Sequence, residues 1–160
     1  MKERRAARRL AVDVLYESEI RDSLPTEALA ARQRSGWVVP TSDDLNGLVN
    51  EGEVPSEQAV GYAGRLVEGV QTHHADIDAL IVRYADRWAI DRMPVIDRTL
   101  LRIGVFEMLW EKDVPVAVAI NEAVELAKQL STEDSGKFIN GLLGRIAEVA
   151  GPSPEDRTNL

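Results

Sequence analysis

The stretch from Val95 to Leu143, VIDRTLLRIGVFEMLWEKDVPVAVAINEAVELAKQLSTEDSGKFINGLL, constrains the fold more tightly than any other part of the chain. Three helices can be read in it. The first, about Val95 to Trp110, is apolar at Val95, Ile96, Leu100, Leu101, Ile103, Val105, Phe106, Met108, Leu109 and Trp110. That is too wide for one stripe, so this helix needs other helices on most of its sides. Pro115 marks a break after a charged turn. The second helix carries Ile120, Ala123, Ala127 and Leu130 on one face, at offsets of three and four residues. STEDS then supplies a helix start: Thr132 or Ser131 can cap, and Glu133 and Asp134 suit the positive end of the dipole. The third helix is apolar at Phe138, Ile139, Leu142, Leu143 and Ile146, and these three segments form the expected core.

The rest of the chain repeats the helical period. A first helix is expected from about Glu3 to Ser18, with Ala7, Leu10, Ala11, Val14 and Leu15 as its buried stripe. At about 100° per residue, Arg5, Arg9, Val12 and Tyr16 line the opposite side. The chain turns at Leu24-Pro25, and Thr26 with Glu27 opens a short helix to about Arg32. Residues 35–56 mix Gly, Pro, Asn, Asp and Ser and read as a loop that packs Trp37. From Ser56 a stripe of Val60, Ala63, Leu66, Val67 and Val70 follows, then another of Ile77, Leu80, Ile81, Tyr84 and Trp88, closed by Arg92-Met93-Pro94. No alternating strand pattern occurs, so the expected class is all-α. A single domain over residues 1–150 is expected, with a loop insertion at about 36–56 and a disordered tail at 151–160.

Charge is distributed unevenly. Residues 1–9 hold Lys2, Arg4, Arg5, Arg8 and Arg9 against Glu3, a net +4; with −8 overall, the remaining 151 residues carry −12. A basic pole on an acidic body reads as a localised anion site, with a solvated helix face as the plain alternative. Its position matters, because cations at a helix N-terminus oppose the macrodipole and are poorly placed for stability. Cations beside an aromatic such as Tyr16 suit phosphate contact next to a base or a protein; burial of Tyr16 against a second bundle is the structural alternative.

Other chemistries find little support. The chain has no cysteine, which excludes disulfides, thiol nucleophiles and thiolate metal sites. His73 and His74 are adjacent and so face different ways on a helix, unlike a chelating i, i+4 pair. Glu122 and Glu125 lack the histidine that a di-metal bundle places three residues on. Gly141 and Gly144 sit inside a helical pattern rather than a phosphate loop. We expect no enzyme activity and no cofactor. No apolar run approaches membrane-helix length and MKERRAARR leads into no signal-type core, so a cytoplasmic protein without membrane contact is expected. Around the third core helix start, Lys137 and Phe138 lie in the first turn after the cap, where free amides attract phosphate in competition with Glu133 and Asp134. Phe138, Leu142 and Ile146 share one line, but Ile139 and Leu143 can supply that face alone. A partly exposed Phe138 ring that touches RNA is therefore expected, with a plain core residue as the structural alternative.

INEAVELAKQLSTEDSGKFINGLL, preceded by LLRIGVFEML and a DVP turn, resembles the bacterial NusB family of transcription antitermination factors, and RRAARRLAVDVLYE extends the resemblance to the N-terminus. The resemblance implies an all-α fold of two three-helix bundles sharing an interface, and no catalysis. It implies a pairing with the ribosomal protein called NusE in this role, binding of boxA-type single-stranded RNA, and indirect support of RNA polymerase elongation through ribosomal RNA operons. Carried over residue by residue, Lys2, Arg4, Arg5, Arg8 and Arg9 match the arginine-rich RNA-binding motif. Lys137 and Phe138 match the KF of a KFVNG-type signature beside the RNA surface, and Asp134 matches the acidic residue before it. Tyr16 and Asp97 fall where the family meets its ribosomal partner. The long acidic loop at 36–56, and Gly144-Arg145 in place of an acidic residue, depart from the pattern. Two rivals stand beside this reading: a protein–protein adaptor whose arginines are only solvated, and the RNA-guiding subunit of a ribosomal RNA modification enzyme. The apolar face that awaits NusE could also form a homodimer.

Overall fold

The computed structural model describes residues 2–37, 54–86 and 88–150, so most of the expected loop at 36–56 and the whole tail at 151–160 lie outside the described residues. All regular structure among the described residues is helical: seven α-helices and one 3₁₀ turn. The chain divides into two compact units, Met1–Gln71 and Thr72–Leu160.

The first unit carries helix α1 (Lys2–Ile20), α2 (Pro25–Ser35) and α3 (Glu57–Thr72). Helix α1 ends in a Schellman turn: Asp22 takes the left-handed conformation at φ 53°, the Ser23 amide donates to the Ser18 carbonyl at 2.9 Å, and the Asp22 amide donates to Glu19 at 3.4 Å. The Ser18 hydroxyl closes the same turn on the Ser23 carbonyl at 2.9 Å. Pro25 then opens α2 at a position where its missing amide is no loss. Ser56 caps α3 by accepting the Ala59 amide at 3.1 Å. The expected stripe of α1 is buried at Ala7, Leu10, Ala11, Val14 and Leu15, and Trp37 is buried as well. Val12, expected on the outer row, is also buried, at 1% exposure. α1 is thus enclosed over more of its circumference than its stripe implies.

The second unit carries α4 (His74–Tyr84), a 3₁₀ turn (Ile90–Arg92), α5 (Val95–Trp110), α6 (Val116–Leu130) and α7 (Glu133–Ala150). It adds α4 to the three core helices read from the sequence. α5 packs against α4, α6 and α7, as its wide apolar surface requires, and it is buried without a gap from Thr99 to Met108 apart from Arg102. Arg102 reaches α4, where its Nε and Nη2 donate to the two Asp78 carboxylate oxygens at 2.9 and 3.0 Å. Gly104 lets α7 approach: a Cβ there would lie 2.8 Å from Leu143 Cδ1. α6 turns Ala119, Ala123 and Ala127 inward, with Ile120 and Leu130 only half-buried at the edges of that face.

The expectation that α4 continues to Trp88 is corrected. Ala85 donates back to Ile81 at 2.8 Å, and Asp86 takes φ 62°, which ends the helix. The Trp88 amide then donates to the Ala85 carbonyl at 3.3 Å, carrying the indole off the helical stripe.

Candidate nucleic-acid interface

The basic residues of α1 are not equivalent. Lys2 opens the helix, and its side chain lies outside the described residues. Arg4 places its guanidinium 4.7 Å from the centroid of the Tyr62 ring on α3, a cation–π contact that holds its charge near the helix start. Arg5 is exposed, whereas Arg8 is 4% exposed. Arg9 is half-buried and sits 3.6 Å from Asp13, one turn on. The outward row therefore runs Arg5, Arg9, Tyr16, interrupted by the buried Val12. Burial pushes the Asp13 carboxyl above its ordinary value, although Arg9 and Arg32 both act to lower it.

The other half of α1 presents a different surface. Tyr16 is 40% exposed, Ile20 59% and Leu24 54%. Beside this apolar row, Asp13, Tyr16, Glu17, Ile20, Arg21 and Arg32 line an open groove of about 260 Å³. Its rim is ordered by ions: Arg32 Nε donates to Glu17 Oε2 at 2.9 Å, and Arg21 Nε lies 3.5 Å from Glu17 Oε1. The row of Ile20 and Leu24 escaped the sequence reading because it lies in the last turn of α1 and beyond it, outside the stripe. Exposed apolar residues in that register were its only signal.

In the second unit the start of α7 is tied down by a hydroxyl network. Thr132 caps the helix by accepting the Ser135 amide at 3.0 Å, and its own hydroxyl donates to Ser135 Oγ at 3.0 Å. Ser131 Oγ lies 3.0 Å from the same oxygen. Ser135 in turn donates to Asp97 Oδ2 on α5 at 2.8 Å. Asp97 is 1% exposed, and its Oδ1 accepts no hydrogen bond. The residue carried over as a partner contact thus lies beneath the surface, bonded to the α7 start. Two and three residues past Ser135, Lys137 is exposed and Phe138 is half-buried, as expected of a ring at the edge of the core face. The Phe138 ring meets Trp88 in an edge-to-face contact, with centroids 4.9 Å apart and planes at 77°. Asp134 is exposed one residue before Ser135. Ser135 and Trp88 are the members of this group that the sequence did not mark as site residues, Trp88 having been placed on the α4 stripe. Among the described residues, no helix is long and apolar enough to cross a membrane.

The described residues define an all-helical protein of two compact units whose first helix concentrates its cations. The comparisons with known proteins make the assignment particular. The NusB family model matches residues 5–148. The transcription antitermination protein NusB of Salinispora arenicola is 47% identical over 150 residues, covering 94% of this chain and 98% of the relative. That of Saccharopolyspora erythraea is 46% identical over 147 residues, covering 91% and 87%. Among solved structures, NusB of T. maritima superposes with a TM-score of 0.76 at 34% identity, over 98% of this chain and 97% of that one. A structure of antitermination factors NusB and NusE in complex with dsRNA gives 0.72 at 28% identity, over 92% and 98%. The chain belongs to the NusB family, whose named members here are transcription antitermination proteins.

Proposed function

We propose that the chain acts in antitermination by binding boxA-type single-stranded RNA together with the ribosomal protein NusE, supporting polymerase elongation through ribosomal RNA operons from the cytoplasm and without catalysis of its own. The observation that carries the proposal is a net +4 segment, built into the first turns of α1, on a body of −12. Lys2, Arg4, Arg5, Arg8 and Arg9 supply the charge. The exposed Arg5 and the half-buried Arg9 meet phosphates, and Arg4 and Arg8 fix the helix that presents them. Lys137 and Phe138 form a second RNA-contacting patch in the other unit. Tyr16, with Ile20 and Leu24, offers the apolar row that a protein partner covers, and Asp97 acts from beneath through Ser135. The known complex of NusB and NusE with dsRNA supports a shared RNA and protein role.

The test is a salt titration of RNA binding, alone and with NusE, using single-stranded and double-stranded boxA-type RNA. Arg5→Ala with Arg9→Ala should weaken binding, leave the thermal midpoint nearly unchanged and reduce the salt slope by about 0.7 for each phosphate that is no longer neutralised. NusE should tighten RNA binding by roughly 1–3 kcal/mol, reciprocally. An unaltered dissociation constant at both low and moderate salt rejects the basic-pole reading and leaves a protein adaptor. Sedimentation of the chain with and without NusE tests whether the Tyr16 row also forms a homodimer.

A further inference from the structure

We infer that Trp88 is a base-stacking residue: with Phe138 it forms a two-ring platform that takes an unstacked base of single-stranded RNA, while Lys137 meets a phosphate of the same strand. The inference rests on the RNA-binding reading above and extends it to a residue outside the family's KF signature.

The three tryptophans have different fates. Trp37 is 7% exposed, and Trp110 spends a face on His73, in a stack with centroids 4.1 Å apart and planes at 16°. Trp88 is 42% exposed. Its one aromatic neighbour among the described residues is Phe138, and the 77° angle between the rings decides what is left over. A parallel stack uses one face of each ring, whereas an edge-to-face contact uses one face and one edge. The pair therefore leaves three of its four π-faces uncommitted to each other, and the exposure of Trp88 puts some of that surface in solvent. A backbone device holds the indole there. Asp86 at φ 62° stops α4, and the Trp88 amide donates to the Ala85 carbonyl, so the ring leaves the helical line. Phe138 is fixed from the other side, three residues past the Ser135–Asp97 bond.

The local charge selects the kind of ligand. Glu133 and Asp134 occupy the first turn of α7 and are exposed, so the amide-rich start is already supplied with negative charge. A phosphate seated there would meet both carboxylates. A base brings an uncharged π-face, and base–aromatic stacking tolerates any sequence. Lys137, exposed close by, is a cation placed to meet a neighbouring phosphate.

The test uses the full-length chain with a boxA-type single-stranded oligoribonucleotide and an abasic oligoribonucleotide of equal length. Trp88→Ala should weaken binding of the base-containing strand about 5- to 150-fold, the range for losing one stack, and leave the abasic strand unaffected. Trp88→Phe, which keeps a ring, should retain affinity within about threefold yet abolish most of the fluorescence quenching that RNA causes in the parent; this arm stands even where Trp88→Ala folds poorly. An unchanged affinity in Trp88→Ala, equal losses on both strands, or full quenching in Trp88→Phe overturns the inference. So does a loss of NusE binding with RNA binding intact, which makes the rings a protein contact. Arg5→Ala and Lys137→Ala separate the two levels. If they weaken RNA binding and Trp88→Ala does not, only the platform fails; if they too are silent, the RNA-binding reading fails.

Discussion

Replacing Ser135 by alanine tests whether the α7 start is held by its bond to Asp97. Ser135 Oγ donates to Asp97 Oδ2 at 2.8 Å, and Asp97 Oδ1 already accepts nothing in a site that is 1% exposed. Ser135→Ala removes the one donor and leaves the whole carboxyl group buried without a partner. Such a group costs about 1–3 kcal/mol. The helix cap survives, because Thr132 accepts the Ser135 backbone amide, so cap loss adds nothing. At about 2–4 °C per kcal/mol for a chain of this length, the midpoint should fall by roughly 2–12 °C. Asp97→Ala removes the stranded group and opens a small cavity. Adding Ser135→Ala to that background should cost much less than it does alone. Urea unfolding followed by far-ultraviolet circular dichroism on the four proteins of this cycle gives the coupling, expected between about 1 and 3 kcal/mol. Effects that add to within about 0.5 kcal/mol would show that the bond contributes nothing and refute the reasoning.

Three further outcomes follow from the geometry. Burial holds the Asp13 carboxyl above its ordinary 3.8, so folding favours its neutral form: that contribution is full below the unfolded-state value and lost as pH rises through the folded one. Asp13→Asn, neutral throughout, should therefore gain stability on the parent between acid and neutral pH, and a difference constant across that range in urea titrations refutes this. Gly104→Ala gains about 1 kcal/mol of helix propensity but costs about 1–3 kcal/mol by overpacking, since its Cβ would lie 2.8 Å from Leu143 Cδ1. In a Leu143→Ala background the same change should become stabilising, and thermal melts that show no change of sign reject the close-approach argument. Ser56→Ala should cost about 0.5–2 kcal/mol through loss of the cap on the Ala59 amide, and an unshifted unfolding midpoint rejects it.

How far the sequence could be read depended on whether a feature is written in periodicity or in a single backbone turn. The Val95–Trp110 span and its enclosure followed from an apolar surface too wide for one stripe, and α5 has those bounds. Thr132 was one of two candidate caps because both are hydroxyl residues before an acidic turn; geometry selects Thr132, while Ser131 joins the same network through its side chain. Asp97 was legible only as a position. That an aspartate in the first turn of α5 would point at Ser135, 38 residues away, depends on how two helix starts meet, and neither periodicity nor propensity reports that.

Trp88 shows how the period misleads. Four residues beyond Tyr84, it continues the spacing of Ile77, Ile81 and Tyr84, and extrapolation along that line buries it. The signal against burial was Asp86, since Asp is among the few residues that tolerate the left-handed conformation that ends a helix. Once the chain turns there, the i+4 relation no longer applies, and the indole is left 42% exposed in edge-to-face contact with Phe138. Asp22 ends α1 by the same conformation, and just beyond that turn Leu24 is 54% exposed after Ile20 at 59%. In both units a left-handed aspartate ends the helix beside exposed apolar side chains. Aspartates that take this conformation therefore mark where this chain leaves apolar side chains in solvent.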